Sequence, residues 1–496
     1  MTPEWTLRPL LAVLVSLLAA ILIVAFGRRP NVRESCTLIA AVSKFAIVFS
    51  LLADVNGGHY PHITLFEIAP DVGFALGVDS LGLSFALSAS LLWIVTSIYS
   101  IGYMRTLAES HQTRYYASFA ICLSATIGLA FAANLLTFLI FYEVLTIATY
   151  PLVVHKGSAE ALAAGRKYLA YLLSGGGALL LAVAWTHSLA PSLDFKAGGM
   201  LPAASAPMTL GLLFFLFVVG VGVKAGLMPL HGWLPSAMVA PTPVSALLHA
   251  VAVVKAGVFG LARVVGFVFG GDLLREIGAV QILATLAGLT IVLASLLAMA
   301  QNNLKRRLAY STVGHLSYIV LGLALVTPEA WLGALFHIIT HAAMKITLFF
   351  CAGAIYAKTH LENIDELDGI GRQMPITMGA FGLASLGLAG VPPLGGFVSK
   401  WFLAQGTLAA GQPWLLAILL LSGLLNAAYL FPIVVRAFFI PSEQFPKFAE
   451  ASPLMIVPLV TTALLALALG VFPDAVFHWF TLASDATTSV LAGGVK

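Results

Sequence analysis

The side chains of this chain best equipped for chemistry are ionisable groups set in stretches that are otherwise almost wholly apolar. Glu143 stands in "LTFLIFYEVLTIATYPL", Lys224 in "FFLFVVGVGVKAGLMP", Lys255 in "LLHAVAVVKAGVFGLAR" and Lys400 in "GGFVSKWFLAQG". An ionisable group near the middle of a bilayer costs about 2.5 to 3.5 kcal/mol on insertion scales, and such groups mark ion or proton pathways. Lys224 lies one turn before Pro229, where a helix must open and free backbone carbonyls. An amine whose proton affinity is set by burial against a carboxylate can load and release a proton, which makes Lys224 opposite Glu143 the leading pair. The blander readings are a structural counter-ion role for Glu143 and snorkelling of Lys224 to an interface. Lys400 follows the Pro392-Pro393 break and stands as a last acceptor before an exit, with snorkelling again the alternative.

A second set repeats at helical spacing. His337, His341 and Lys345 fall at i, i+4 and i+8, stacked on one helix face. Metal binding is a competing reading for two histidines at i, i+4, but a lysine follows them instead of a carboxylate, so a water-bridged chain of protonatable groups fits better. His315, in "YSTVGHLSY", extends this polar set, and His249 precedes Lys255 by six residues, a spacing that puts the two on different faces of a regular helix. Each lone histidine also reads as an interhelical hydrogen-bonder. Lys44 is as deeply placed as the others and has no assigned role. Cys36, Cys122 and Cys351 lack partners at metal-ligand spacing and read as packing residues; no metal or cofactor is expected.

Helices that cross a membrane must position these groups. Of 496 residues, 60% are hydrophobic and 9% charged, and mean hydropathy is +0.99. A soluble domain carries about 25% charged residues, so a soluble enzyme is excluded. Apolar segments long enough to span can be marked fourteen times, from 7–27 to 454–475, and the first is a span and not a leader because Arg28, Arg29 and Arg33 follow it. Fifteen of the 25 Lys and Arg residues fall in loops on one side, among them Lys305, Arg306, Arg307, Lys358 and Arg372, and five on the other, Arg8, Lys196, Arg263, Arg275 and Lys496. The basic side is expected to be cytoplasmic, which places both termini and the segment "GGHYPHITLFEIAPD" outside.

Two stretches break the helical pattern, "KAGLMPLHGWLPSAMVAPTPVS" after span seven and "LGLAGVPPLGGFVSK" in span twelve. Paired Gly/Pro interruptions five spans apart point to inverted repeats with discontinuous helices. The expected fold is an all-α polytopic membrane protein: helices 1–3 in 1–116, a five-helix unit in 117–267, its inverted copy in 268–440, and helix 14 with a tail in 441–496.

The strings "FYEVLTIATYPLV", "KAGLMPLHGWLPSAMVAPTPVSALLHAVAVVKAGVFGLAR", "LKRRLAYSTVGHLSY", "HAAMKITLFFCAGAI" and "LAGVPPLGGFVSKW" resemble the antiporter-like proton-conducting subunits shared by respiratory complex I, membrane-bound hydrogenases and Mrp cation/proton antiporters. The resemblance covers roughly 75–440, and "YEVLTIATYPLVVHKG" together with the chain length is most similar to the D-type Mrp antiporter component. It implies fourteen helices with two inverted five-helix units, and it places family charges at Glu143, Lys224, His249, Lys255 and Lys400. The last is Glu in some complex I subunits, and Asn303 stands where many relatives carry an acid. The implied function is proton translocation within a multisubunit Na⁺/H⁺ antiporter of a prokaryotic inner membrane, by a transport subunit that is not an enzyme by itself. Its implied partners are other membrane subunits, protons and a monovalent cation; nucleic acid is not among them. The alternative is the proton-pumping subunit of complex I or of a hydrogenase, in which other subunits would supply the redox chemistry, because the chain carries no cysteine cluster or dinucleotide fingerprint.

Overall fold

The computed structural model describes residues 2–69, 72–475 and 477–492. Lys496, and Pro70 and Asp71 of the segment expected outside, fall beyond them. The helices are α1 (Arg8–Ala25), α2 (Pro30–Ser50), α3 (Ser80–Thr106), α4 (Gln112–Ala130), α5 (Leu135–Val153), α6 (Ala159–Leu189), α7 (Pro207–Ala225) and α8 (Thr242–Phe269). They continue as α9 (Ala279–Met299), α10 (Leu304–Leu325), α11 (Pro328–Thr359), α12 (Pro375–Ala389), α13 (Gly395–Ala409), α14 (Pro413–Phe439), α15 (Pro453–Val471) and α16 (Trp479–Ala492). Among the described residues, twelve are long and apolar enough to cross a membrane. The other two expected spans are helical as well: α4, whose first turn carries Gln112, Thr113 and Arg114, and the broken pair α12 and α13.

Local sequence explains where these helices begin. Asp79, Asn134, Ser158, Asn303 and Thr327 each accept a backbone N–H of the first turn with a side-chain oxygen, satisfying a donor that has no partner within the helix. Proline opens α1, α2, α7, α12, α14 and α15, where its missing N–H costs nothing. α8 and α11 are the inner helices, buried throughout their most apolar stretch. Outward-facing positions such as Ile21, Leu424 and Val457 are apolar, while Lys44, Lys224, Lys255, Lys345, His249, His315, His337 and His341 point inward. That arrangement suits a hydrocarbon surround, in which a polar group finds partners only inside the bundle.

Both interrupted spans stop on a left-handed glycine. α7 ends before Gly226 (φ +69°) and α12 before Gly390 (φ +96°), a conformation that a side chain disfavours. The carbonyls released at these breaks are taken up by side chains. The Trp233 indole donates to Val223 O at 2.8 Å, and the Lys400 ammonium donates to Leu388 O at 2.5 Å and Ala389 O at 3.2 Å.

Three features depart from the expected plan. First, β1 (Thr2–Trp5) pairs in parallel with β2 (His59–Ala69), and β2 pairs antiparallel with β3 (Val72–Gly77), in the order β1-β2-β3. The sheet forms because buried Pro61 and Ile63 alternate with the more open Tyr60 and His62, a period of two within a segment too polar to enter lipid. Second, the tail contains α16, fourteen residues long and too short to span. Its Trp479, Leu482, Ala483 and Ala486 are buried at i, i+3, i+4 and i+7, and Phe480 packs edge-on against Phe336 of α11 at 5.5 Å. Third, α8 is not a regular helix, since Leu247–Val251 and Val264–Phe269 are wound as π-turns.

Loop contacts sort the two faces. β1 pairing with β2 puts the start of the chain beside the 59–77 hairpin, and that face also joins Asn134 to Asp194 and Arg275 to Val326 O. On the other face Arg105 pairs with Glu34, Arg306 with Glu160, and Arg436 with Asp368, and Asn303 bridges to Asn363. The basic loops joined by these pairs lie together on one face, whereas Arg263, counted in a loop of the other side, is buried within α8 and pairs with Asp79.

Candidate functional site

Lys224 occupies the last turn of α7 and is completely buried. Its ammonium lies 3.3 Å from the centroid of the Tyr142 ring and donates to Tyr142 O at 2.5 Å. The Tyr142 hydroxyl donates to Gly220 O at 2.7 Å, so α5 and α7 are clamped at the level of the lysine. Glu143, the next residue, turns toward α6, where Gly176 leaves room for its carboxyl group and Oε1 has no hydrogen-bond partner. Among the described residues no carboxylate lies within 4.0 Å of Lys44, Lys224, Lys255, Lys345 or Lys400. Glu143 and Lys224 thus occupy neighbouring helices without a contact ion pair.

α7 and α8 meet with their backbones nearly touching. A Cβ on Gly257 would lie 2.8 Å from Ala225 Cα, which brings the turn after Lys224 beside the turn after Lys255. Lys255 is fully buried, and its Nζ is 2.7 Å from His341 Nδ1 of α11. From there the histidines run together across α10 and α11. The His341 ring centroid is 5.2 Å from that of His315. His315 Nδ1 is 3.2 Å from His337 Nε2, and His337 Nδ1 is 2.8 Å from Ser399 Oγ of α13. Lys400 follows Ser399, and its ammonium stands 5.0 Å from the ring centroid of Tyr318. An imidazole that receives a proton on one nitrogen and yields one from the other is suited to such a file. Lys345 departs from the file, donating to Ser311 Oγ at 2.6 Å and Leu308 O at 3.1 Å.

The stripe of His337, His341 and Lys345 therefore faces α10 along one side of α11, as its spacing required. His249 differs from the expectation. Its ring lies tilted against Phe349 with centroids 4.7 Å apart, while Lys255 meets His341 eight residues back on the same helix, so both reach α11. A π-turn contains an extra residue per turn and changes the angle between positions six apart, which a regular-helix count misses. Both ring nitrogens of His249 lack a protein hydrogen-bond partner. Among the described residues no hydrogen bond joins Lys224 to Lys255 and no group of three or more His, Cys, Asp or Glu is placed to hold a metal ion.

Lys44, left without a role by the sequence, donates to Ser16 Oγ at 2.6 Å and Leu123 O at 3.0 Å and ties α2 to α1 and α4. The three cysteines are free, and Cys122 and Cys351 are buried. Sequence reasoning passed over Tyr142, Tyr318, Ser311, Ser399, Asn426 and Tyr429. Asn426, inside the apolar run "LLLSGLLNAAYLFPIVV", carried a usable signal, because an amide in mid-span requires a partner.

A bundle of membrane-crossing helices, two of the spans interrupted beside Lys224 and Lys400, is a polytopic membrane protein with its polar chemistry inside. The chain belongs to the NADH:quinone oxidoreductase/Mrp antiporter transmembrane family, whose sequence profile matches residues 132–426. It is 34% identical over 377 residues to NADH-quinone oxidoreductase subunit N of Desulforudis audaxviator, covering 74% of each chain. It is 31% identical to Na⁺/H⁺ antiporter subunit A1 of Staphylococcus aureus strain JH9, covering 84% of this chain and 55% of that one, so it spans about half of that longer relative. Its fold matches a chain of the Mrp complex from Dietzia sp. DQ12-45-1b with a TM-score of 0.87 at 21% identity, covering 98% of both. It is a membrane subunit of the antiporter-like complex family.

Proposed function

We propose that this chain is the proton-translocating subunit of a multisubunit Na⁺/H⁺ antiporter, similar to the D-type Mrp component, in a prokaryotic cytoplasmic membrane. The observation that carries the reading is the file from buried Lys255 through buried His341, His315 and His337 to half-buried Lys400, with Lys224 and Glu143 at its head. Units 117–267 and 268–440 act as inverted copies, each contributing one broken helix. The likeness to an antiporter subunit over 84% of this chain supports the antiport reading. Other membrane subunits complete the assembly. Val391, Pro392 and Pro393 are exposed at the break of span twelve, and irregular backbone at membrane depth is tolerated only against protein or a water-filled cavity.

The 34% identity to a subunit N favours a second reading, in which the same path is driven by redox subunits elsewhere in a complex I-like assembly. Native assemblies reconstituted into vesicles separate the two. An imposed Na⁺ gradient should acidify or alkalinise the lumen without any redox substrate. Proton movement that appears only with a quinone and a reductant replaces the first reading by the second.

Orientation is testable separately. With Cys36, Cys122 and Cys351 removed, cysteines at Asn302 and Gly57, both exposed and on opposite faces, should react with an impermeant maleimide from the cytoplasm and from outside, respectively. The reverse pattern would place both termini inside.

A further inference from the structure

A second polar connection between α11 and α13 runs beside the histidine file and shares none of its histidines. Lys345 Nζ donates to Ser311 Oγ of α10 at 2.6 Å, and Ser311 Oγ lies 2.8 Å from the Tyr429 hydroxyl of α14. Tyr429 donates in turn to Asn426 Oδ1, one turn back on α14. The Asn426 amide Nδ2 donates to Leu388 O at 3.4 Å, the same freed carbonyl that receives the Lys400 ammonium at 2.5 Å. Every side chain in this series is buried except Lys400, which is half-buried. Tyr429 is also held from its backbone, since Arg307 donates to Tyr429 O at 2.9 Å.

The hydrogens available give the series a direction. Ser311 and Tyr429 each own one hydroxyl hydrogen, and an asparagine amide has a donor end and an acceptor end. The single Tyr429 hydrogen has two acceptors in reach, Ser311 Oγ and Asn426 Oδ1. A Lys345 ammonium can only donate, and with Ser311 Oγ accepting from it the Tyr429 hydrogen goes to Asn426 Oδ1. That fixes the amide with Nδ2 toward Leu388. A Lys345 amine offers a lone pair to Ser311, whose hydrogen then turns back and draws the Tyr429 hydroxyl away from Asn426. The titratable groups facing Lys345 are Lys255 and His249 of α8, His315 of α10, His341 of its own helix and Tyr429 of α14. Because an amide does not carry protons onward, this branch positions groups and does not conduct.

We propose that Asn426 and Tyr429 are positioning residues that transmit the state of Lys345 to Lys400 by turning the Asn426 amide toward or away from the Leu388 carbonyl at the break of span twelve. The inference deepens the reading above and rests on it for its role in transport.

Hydrogen exchange of the purified assembly, followed on a peptide covering 386–396, tests it. Tyr429→Phe, which removes one hydroxyl and little volume, should speed exchange of the amides of Gly390, Val391 and Leu394 by about threefold or more by loosening the break. Asn426→Leu should do the same. Lys345→Met should reproduce the effect, and Tyr429→Phe added to Lys345→Met should add nothing further, as for residues that act through one connection. Unchanged exchange in Tyr429→Phe, or an effect that sums with that of Lys345→Met, overturns the proposal. If the wild-type assembly moves no protons in vesicles, the transport reading falls, while the exchange data still decide the linkage.

Discussion

Glu143→Ala and Lys224→Ala are each expected to reduce ΔpH-coupled transport in everted vesicles to background, a loss of about a hundredfold or more, while the complex still assembles. The structure gives reasons for both halves of that result. Glu143 Oε1 has no hydrogen-bond partner, so its removal leaves no orphaned donor behind it. Lys224→Ala vacates the space over the Tyr142 ring, but Tyr142 O keeps the Thr146 hydroxyl as a donor at 3.2 Å and the α5 to α7 clamp through Gly220 stays in place. A large-to-small change at a buried site costs about 2 to 5 kcal/mol, so assembly is to be checked by co-purification before transport is measured. On the proposed reading transport fails because the pair would work through a change in separation. No contact ion pair joins them in this arrangement, and a carboxylate approaching the ammonium raises its hold on a proton while a retreating one lowers it. An assembled variant with near-normal proton movement would show that the pair is not the motor. Failure of both variants to assemble would assign them a structural role instead.

How much of this was legible in the sequence depended on the distance over which each feature is encoded. Apolar runs of spanning length are contiguous, and every expected span is helical. The interruptions after Ala225 and Ala389 were equally plain, because Gly226, Pro229, Gly390, Pro392 and Pro393 are local signals. The His337, His341 and Lys345 stripe followed from helical periodicity alone. The hairpin did not, since the polarity of "HYPHITLFEI" marks it as lying outside the membrane and masks its alternation. The π-turn around His249 was not legible either, because it is not encoded by any residue type in "LLHAV". The hydroxyl and amide partners are the hardest to see. Tyr142 was overshadowed by its charged neighbour, and Ser311, Ser399 and Asn426 acquire meaning only when separate helices bring them to Lys345, His337 and Leu388. Ionisable residues announce themselves in an apolar span; neutral groups that position them do so weakly.

The histidine file puts the sharpest demand on Lys255. Its ammonium is completely buried and has His341 Nδ1 at 2.7 Å, with His315 and His337 beyond. Lys255→Arg retains the positive charge and a donor toward His341, but a guanidinium does not release its proton at working pH. If Lys255 relays protons into the file, that variant should assemble and lose transport by about a hundredfold, the range associated with a lost proton-transfer group. If Lys255 acts only as a fixed charge, Arg should preserve much of the rate. The longer side chain must fit where the lysine is enclosed by α8 and α11, and overpacking costs about 1 to 3 kcal/mol, so Lys255→Met serves as the control. Methionine fits the volume and carries neither charge nor proton. Loss of transport in both variants with assembly intact identifies a relay; loss in Met alone identifies a fixed charge. Wild-type rates in Lys255→Arg would remove α8 from the path and leave Glu143 and Lys224 to gate a different route to Lys400.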